Sequence, residues 1–253
     1  MEGIELVRRG RLAHLTIDRP QSRNALNLQA MADLDAALAQ VAGWDVHGVF
    51  IRGAGEKAFI SGGDLKELET IREESVALEM ARQMRATLDR IPGLPMPVIA
   101  VINGQAIGGG AEVAIACDYR LAAAHATIGF VQARLGMMPG WGGVERLVQT
   151  VGRGRALQLL TTGRTLSAGE AAEIGLIEEV VPSADLDAAV ARLAGELEMV
   201  PAHALAGIKR AVEAVQPFAR PDLADRATED FAHAWAHDDH WAAMERALEG
   251  RRR

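Results

Sequence analysis

The apolar positions along the chain change period from one segment to the next. Ile4 to Arg8 and Leu12 to Ile17 are β-rich runs joined at Arg9-Gly10, which predicts a hairpin ended by Asp18-Arg19-Pro20. From about Asn27 to Val41, Leu28, Met31, Leu34, Leu38 and Val41 recur at helical spacing. Val49-Phe50-Ile51, Pro97 to Ile102 and Tyr119 to Ala123 read as short buried strands with helical patterns between them. Strands alternating with helices favour an α/β layered fold with crossover connections. Ser167 and Glu170 have the spacing of a capping box ahead of Ala171-Ala172. Gly175 stops that short helix, and Ile177 to Val181 reads as a further strand. From Pro201 onward the pattern is helical only, and Ala227 to Leu248 carries no strand signal. The chain divides on this reading into an α/β core, residues 1–200, and a C-terminal helical region, residues 201–253. No internal repeat or low-complexity linker interrupts it.

Composition narrows the class. The 253 residues are 49% hydrophobic and 24% charged, enough apolar material for a full core. Aromatics make up only 4%, so that core must be built from Ala, Val, Ile and Leu. The formal net charge of -7 argues against a general nucleic-acid surface. Cys117 is the only cysteine, which rules out an intramolecular disulfide and a cysteine-based metal cluster and suits a reducing, cytoplasmic setting. Met1 to Gly10 has no apolar stretch of signal length, and no run of roughly 18 apolar residues predicts a membrane span. The closing Arg251-Arg252-Arg253 reads as a solvated tail.

Two glycine-rich turns carry the candidate chemistry, each after a strand-like run. The first is Phe59-Ile60-Ser61-Gly62-Gly63-Asp64-Leu65, leading into a charged helix. The second is Asn103-Gly104-Gln105-Ala106-Ile107-Gly108-Gly109-Gly110-Ala111-Glu112, leading into Val113 to Cys117. A strand that turns through glycines into a helix aims backbone N–H groups at whatever lies above the helix N-terminus. Glycine lets a ligand approach closely, and two such turns facing each other would form a two-donor oxyanion hole. Tight turns and close helix packing use the same glycines. Nucleotide fingerprints fail: the second turn lacks G-x-G-x-x-G spacing, no Gly-Lys-Ser/Thr follows either turn, and there is no G-x-S-x-G elbow.

The two turns belong to a longer ordered set: Arg19-Pro20 with Asn24-Ala25-Leu26, Cys117-Asp118-Tyr119-Arg120, Leu135-Gly136 with Pro139-Gly140-Trp141-Gly142-Gly143, Leu160-Thr161-Thr162-Gly163, Ala171-Ala172, Gly175-Leu176-Ile177 and Val180-Val181-Pro182. Across nearly its whole length the chain resembles the enoyl-CoA hydratase/isomerase (crotonase) superfamily. The resemblance implies an α/β crotonase (ClpP-like) spiral of ββα units, forming two roughly perpendicular sheets, with a C-terminal helical region. It implies an acyl-CoA thioester as substrate, with coenzyme A as the substrate's handle and no metal or other cofactor. It implies a homotrimer or dimer of trimers, with C-terminal helices that help trimerise and complete a neighbour's site. Neither a nucleic-acid nor a membrane partner follows from it. The oxyanion donors map to Gly63 and Gly109, and a catalytic glutamate maps to Glu112.

The second glutamate of the family's hydratases maps to Gln132. A carboxylate can take or give a proton, whereas an amide can only hydrogen-bond. This weakens the two-glutamate water addition and the isomerase that relies on the same position. It suits a substrate bringing its own carboxylate, because two carboxylates about 4 Å apart repel by roughly 4 kcal/mol at a typical effective dielectric, and a glutamine removes that repulsion while offering an N–H donor. The surrounding Phe130-Val131, Gly136, Pro139 and Trp141-Gly142-Gly143 resemble the superfamily's malonyl-type decarboxylases, such as ethylmalonyl-CoA decarboxylase. Decarboxylation of a methylmalonyl- or ethylmalonyl-CoA is accordingly the first expectation. The second is an enoyl-CoA hydratase or isomerase using Glu112 alone. The third is a non-catalytic acyl-CoA- or RNA-binding relative, against which the glycine pair, Glu112 and the net charge speak. Arg23, Ala25, Ser61, Gly62, Asp64 and Lys66 map near the coenzyme A contacts, although Arg23 and Lys66 equally suit solvated charges and Asp64 and Asp118 suit braces for the turns. Trp141 suits a wall of the acyl pocket. His233, His237 and His240 have metal-like spacing but, beside Asp238 and Asp239, read as a solvated helix face.

Overall fold

The computed structural model describes residues 3–215 and 221–250. The Arg251–Arg253 tail lies outside them. Strands β1 (Ile4–Arg9) and β2 (Leu12–Ile17) form the expected antiparallel hairpin, closed at Gly10 with a φ of +60°. Helix α1 (Leu28–Ala42) follows, with the Asn27 side chain accepting from the Ala30 N–H at 2.9 Å as its cap. Met31, Leu34, Leu38 and Val41 are buried as the spacing predicts. Leu28 departs from that stripe: it opens the helix, before the packed turns begin, and is 44% exposed.

Next come β3 (Gly48–Gly53), β4 (Ala58–Ile60), α2 (Leu65–Leu68), α3 (Glu74–Gly93), β5 (Val98–Ile102), β6 (Gln105–Ile107), α4 (Gly109–Ala116), β7 (Tyr119–Ala123) and β8 (Thr127–Gly129). One sheet has the order β1-β2-β3-β5-β7-β10, where β10 is Glu179–Val181, and is parallel from β2 onward. The other has the order β4-β6-β8-β9, where β9 is Thr165–Ser167, and is parallel except at β9. Each pair β3/β4, β5/β6 and β7/β8 places its first strand in the larger sheet and its second in the smaller. This is the repeating ββ unit of the expected spiral. Every residue of β5 is buried, as a parallel strand covered on both faces requires.

The remaining helices are α5 (Gly143–Val151), α6 (Arg153–Thr162), α7 (Ala168–Glu173), α8 (Leu186–Glu198), α9 (Ala202–Ala214), α10 (Pro221–Ala236) and α11 (Asp238–Gly250). Ser167 and Glu170 form both bonds of the capping box ahead of α7, and Gly175, with a φ of +74°, follows its end. Helix α10 packs along α3, and α11 packs on the short 3-10 helix Val131–Leu135. Phe231, Ala232, Trp235 and Met244 join the same buried cluster as the sheets. Among the described residues no helix is long and apolar enough to cross a membrane.

Candidate active site

The segment from Arg19 to Leu26 is threaded against the first glycine turn by a backbone that turns through positive φ at Arg23 and Asn24. Asn24, at a φ of +57°, donates to the Ala54 and Ala58 carbonyls at 3.0 and 2.8 Å and accepts from the Arg19 N–H. Leu26 then pairs with the turn: its N–H donates to the Gly62 carbonyl and its carbonyl accepts from the Asp64 N–H, at 2.8 and 2.9 Å. In such a parallel bridge the residue between the two bonded neighbours points its own N–H away from the partner strand. That residue is Gly63. Among the described residues no backbone carbonyl accepts from its N–H.

Gly109 is the first residue of α4, so its N–H has no intrahelical acceptor, and no other backbone carbonyl among the described residues takes it. A Cβ at Gly62 would sit 3.7 Å from the Gly109 nitrogen, so the two turns abut. A Cβ on Gly109 itself would overlap the Trp141 ring, and one on Gly110 would overlap the Ile60 carbonyl. Only glycine lets the helix end approach the first turn this closely. Gly63, Gly109, Glu112, Gln132 and Trp141 line one cavity of about 50 Å³.

Glu112 lies one turn into α4 and is 2% exposed. Its Oε2 accepts from the Trp141 and Gly143 N–H groups at 2.8 and 2.9 Å, and its Oε1 accepts from Gln132 Nε2 at 2.9 Å. Burial pushes its pKa up to about 7, against the backbone donors, the Arg146 charge and the Gln132 amide, which all favour the carboxylate. Near neutral pH both protonation states are populated, as a group that both takes and gives a proton requires. The Gln132 amide is oriented by Glu112, since the reversed amide would set oxygen against carboxylate oxygen. Its own Oε1 is buried with no hydrogen-bond partner among the described residues. One N–H of Gln132 is thus committed to Glu112, and the amide oxygen is the atom left unpartnered.

Of the other residues expected near the site, Gly62 has a φ of +106° and forms the turn, Ala25 is buried beneath it, and Ser61 Oγ lies 3.4 Å from the Ser22 carbonyl. Asp64 pairs with Arg19 at 3.2 Å, a brace. Arg23 and Lys66 are exposed on the segments flanking the turn. Asp118 braces as well, accepting from the Val98 N–H and from Lys209 at 2.6 and 2.7 Å. Cys117 is buried, its thiol pushed up to about 12 by desolvation, so it is inert at neutral pH.

Several walls carry no motif in the sequence. Leu65, Leu68, Met80, Met137, Phe231 and Trp235 complete the cavity. The signal for the last two is the scarcity of aromatics: Trp141 and Trp235, two of only four tryptophans, line it together. Helix α10 thus helps close this chain's own cavity, with α11 packed behind it. They are held there by Trp235 Nε1 donating to the Ile71 carbonyl at 2.8 Å and by His240 Nδ1 against the Leu135 carbonyl at 2.7 Å. His240 does not belong to a solvated face: it is fully buried, its ring 4.8 Å from both Trp235 and Trp241. His233 and His237 are exposed, and among the described residues no three ligating side chains converge as a metal site.

The enoyl-CoA hydratase/isomerase family model matches residues 8–252. The chain is 33% identical to the short-chain-enoyl-CoA hydratase of Clostridium acetobutylicum over 100% of this chain and 97% of that relative. It is 38% identical to the crotonyl-CoA hydratase of Syntrophomonas wolfei over 78% of this chain and 75% of the relative. The solved structure of an enoyl-CoA hydratase from Bacillus anthracis superposes with a TM-score of 0.82 at 34% identity, over 98% of this chain and 97% of that one.

Proposed function

Because the chain belongs to the enoyl-CoA hydratase/isomerase family, we propose that it adds water across the double bond of a short-chain 2-enoyl-CoA, with Glu112 as the only carboxylate at the reacting atoms. The observation that carries this reading is the buried Glu112, pushed up to about 7 and lining one cavity with the Gly63 and Gly109 turns. The thioester oxygen accepts from the two glycine N–H groups, which draws electron density from Cβ. Ionised Glu112 takes a proton from a water whose oxygen bonds to Cβ. The negative charge moves onto the thioester oxygen as an enolate. Glu112 then returns that proton to Cα, so one water supplies both the hydroxyl and the hydrogen, from one face. Gln132 Oε1 accepts the water's second proton as a hydrogen bond and so orients it. The product is a 3-hydroxyacyl-CoA.

The cavity beside Glu112 is only about 50 Å³, which favours a short acyl group over a long one. Exposed Arg23 and Lys66 beside the Gly62-Gly63 turn suit the phosphates of coenzyme A. Assembly into trimers or dimers of trimers belongs to the same reading; exposed Ile208, Val212 and Val215, which border a cavity of about 720 Å³, support it. Malonyl-type decarboxylation loses ground on two counts. The relatives named above are hydratases, and the free Gln132 oxygen is the wrong partner for a substrate carboxylate.

The test is loss of the conjugated-thioester absorbance of crotonyl-CoA. Wild type should hydrate it, and Glu112→Gln should lower kcat by roughly a hundredfold or more. Release of CO2 from methylmalonyl- or ethylmalonyl-CoA without crotonyl-CoA hydration would reject the proposal.

A further inference from the structure

Arg146, on α5, stands outside the cavity yet touches the loop that holds Glu112. Its Nη1 donates to the Trp141 carbonyl at 2.8 Å, and its Nη2 pairs with Asp89 on α3. The Trp141 carbonyl belongs to the peptide joining Trp141 to Gly142. The peptides on either side supply the Trp141 and Gly143 N–H groups that hold Glu112 Oε2. The loop turns at Gly142, with a φ of +87°, where a Cβ would overlap Arg146 Nη1. The glycine therefore admits both the turn and the guanidinium. The guanidinium is largely buried, its side chain 13% exposed. The charged groups around it are Asp89 and Arg85 from α3, Glu145 from its own helix, Glu112 from α4 and Glu213 from α9.

We propose that Arg146 is the positioning residue for Glu112: it clamps the one peptide between the two N–H donors of the carboxylate, and Asp89 anchors the clamp. This rests on the hydratase reading for its catalytic consequence. A planar fork suits the task because each of two separate nitrogens serves one acceptor, whereas a lysine would have to reach both from one nitrogen. The positive charge has a second effect of the same sign. It favours the ionised Glu112, as do the two N–H donors it holds in place. Removing it should leave Glu112 protonated to higher pH.

The experiment compares wild type with Arg146→Met, Arg146→Lys and Asp89→Asn. The readouts are kcat and KM for crotonyl-CoA across pH, and the Glu112 titration followed by carbon-13 carboxyl NMR with Glu112→Gln to assign the signal. Arg146→Met should move the Glu112 titration and the acid limb of kcat upward together, and lower kcat by about ten- to a hundredfold with KM within about twofold. Arg146→Lys keeps the charge but not the fork, so it should restore most of the titration and only part of kcat. Asp89→Asn should lower kcat less than either. If Arg146→Met does not fold, the lysine and asparagine variants carry the test. A Glu112 titration unchanged in every folded variant would overturn the proposal, as would losses confined to thermal stability. Absence of hydration by wild type would instead reject the hydratase reading, and the NMR titration would still decide the role of Arg146.

Discussion

Gln132→Glu is the most informative perturbation of this site. The new carboxylate oxygen would stand where Gln132 Nε2 now donates to Glu112 Oε1, at 2.9 Å. Two ionised carboxylates about 4 Å apart repel by roughly 4 kcal/mol at an effective dielectric of about 20. The pair would therefore share one proton near neutral pH and titrate in two steps. That supplies what wild type lacks: one carboxylate to take a proton from water while the other gives a proton to Cα. General acid–base assistance is worth roughly a hundred- to ten-thousandfold, and Glu112 already provides part of it, so a rise of about tenfold in crotonyl-CoA hydration is expected. The pH profile should change shape as well. Wild type needs ionised Glu112, so its kcat should rise with pH through about 7 and then level off, with no descending limb from a second carboxyl. Gln132→Glu should give a bell. The assay is loss of enoyl-thioester absorbance over a pH series, with CO2 release from methylmalonyl-CoA followed on the same preparations. A variant with unchanged rate and a single limb, or a bell-shaped wild type, would refute the one-carboxylate reasoning.

Three further outcomes follow from particular contacts. Gly109→Ala pushes a methyl group into the Trp141 ring and should lower kcat by roughly a hundredfold by displacing one oxyanion donor, measured on protein shown by circular dichroism to be folded; an undiminished rate would remove Gly109 from the oxyanion hole. Glu112 has a folded-state pKa near 7 against an ordinary 4.5, so its protonated form favours folding at low pH, and that contribution is lost as pH rises between these values. Glu112→Gln should therefore gain stability over wild type by up to about 3 kcal/mol between pH 4 and 8, read from urea unfolding at each pH. Lys209→Met removes the buried partner of half-buried Asp118 and the donor to the Ile91 and Met96 carbonyls and should cost about 3 kcal/mol in the same assay, with the double variant Lys209→Met/Asp118→Asn costing less.

The strands of the larger sheet were legible because their β-rich runs lie between turn residues, most plainly in the all-apolar β5. Val49 to Ile51, Pro97 to Ile102 and Tyr119 to Ala123 all fall on observed strands, and the hairpin register runs from Ile4 opposite Ile17 to Arg9 opposite Leu12. The smaller sheet was not legible in the same way. Its strands are three residues each, too short to display a period, and β6 is embedded within the second glycine turn. Gly63, Gly109, Glu112 and Gln132 were picked out through the family resemblance that the glycine turns and the Leu135-Gly136 motif carry, and the fold brings all four to one cavity. Arg146 and Asp89 leave no mark in the sequence, and Phe231 and Trp235 leave only the scarcity of aromatics. Asp89 and the two aromatics reach the site across a long stretch of chain, and nothing in the residues beside Arg146 says that its guanidinium will fold back onto the Trp141 carbonyl five residues away. His240 misled for a related reason. Polar neighbours at 238 and 239 suggested a solvated face, whereas the ring packs between two tryptophans that only tertiary structure brings around it.

The pKa of Glu112 near 7 is a balance of opposing requirements, and the fold supplies each side from a different place. The upward push comes from dryness. Phe231 and Trp235 on α10, with Trp141 from the glycine loop, line the cavity and keep bulk water from the carboxylate. The downward pull comes from three donors and one half-buried cation, supplied by α5, the loop before it and the 3-10 helix that carries Gln132. Burial alone would hold the group protonated, where it could give a proton to Cα but could not take one from water. The donors alone, in a wet cleft, would leave an ordinary carboxylate, too weak a base for water and too weakly protonated to return a proton. A site with two carboxylates can divide these duties between groups of different pKa. On the proposed hydratase reading, glutamine at position 132 leaves one group to perform both, which is possible only if its two protonation states lie close in free energy at working pH. The opposed terms around Glu112 have that effect, and this is why the helices that close the cavity and the arginine behind the loop matter to the same proton.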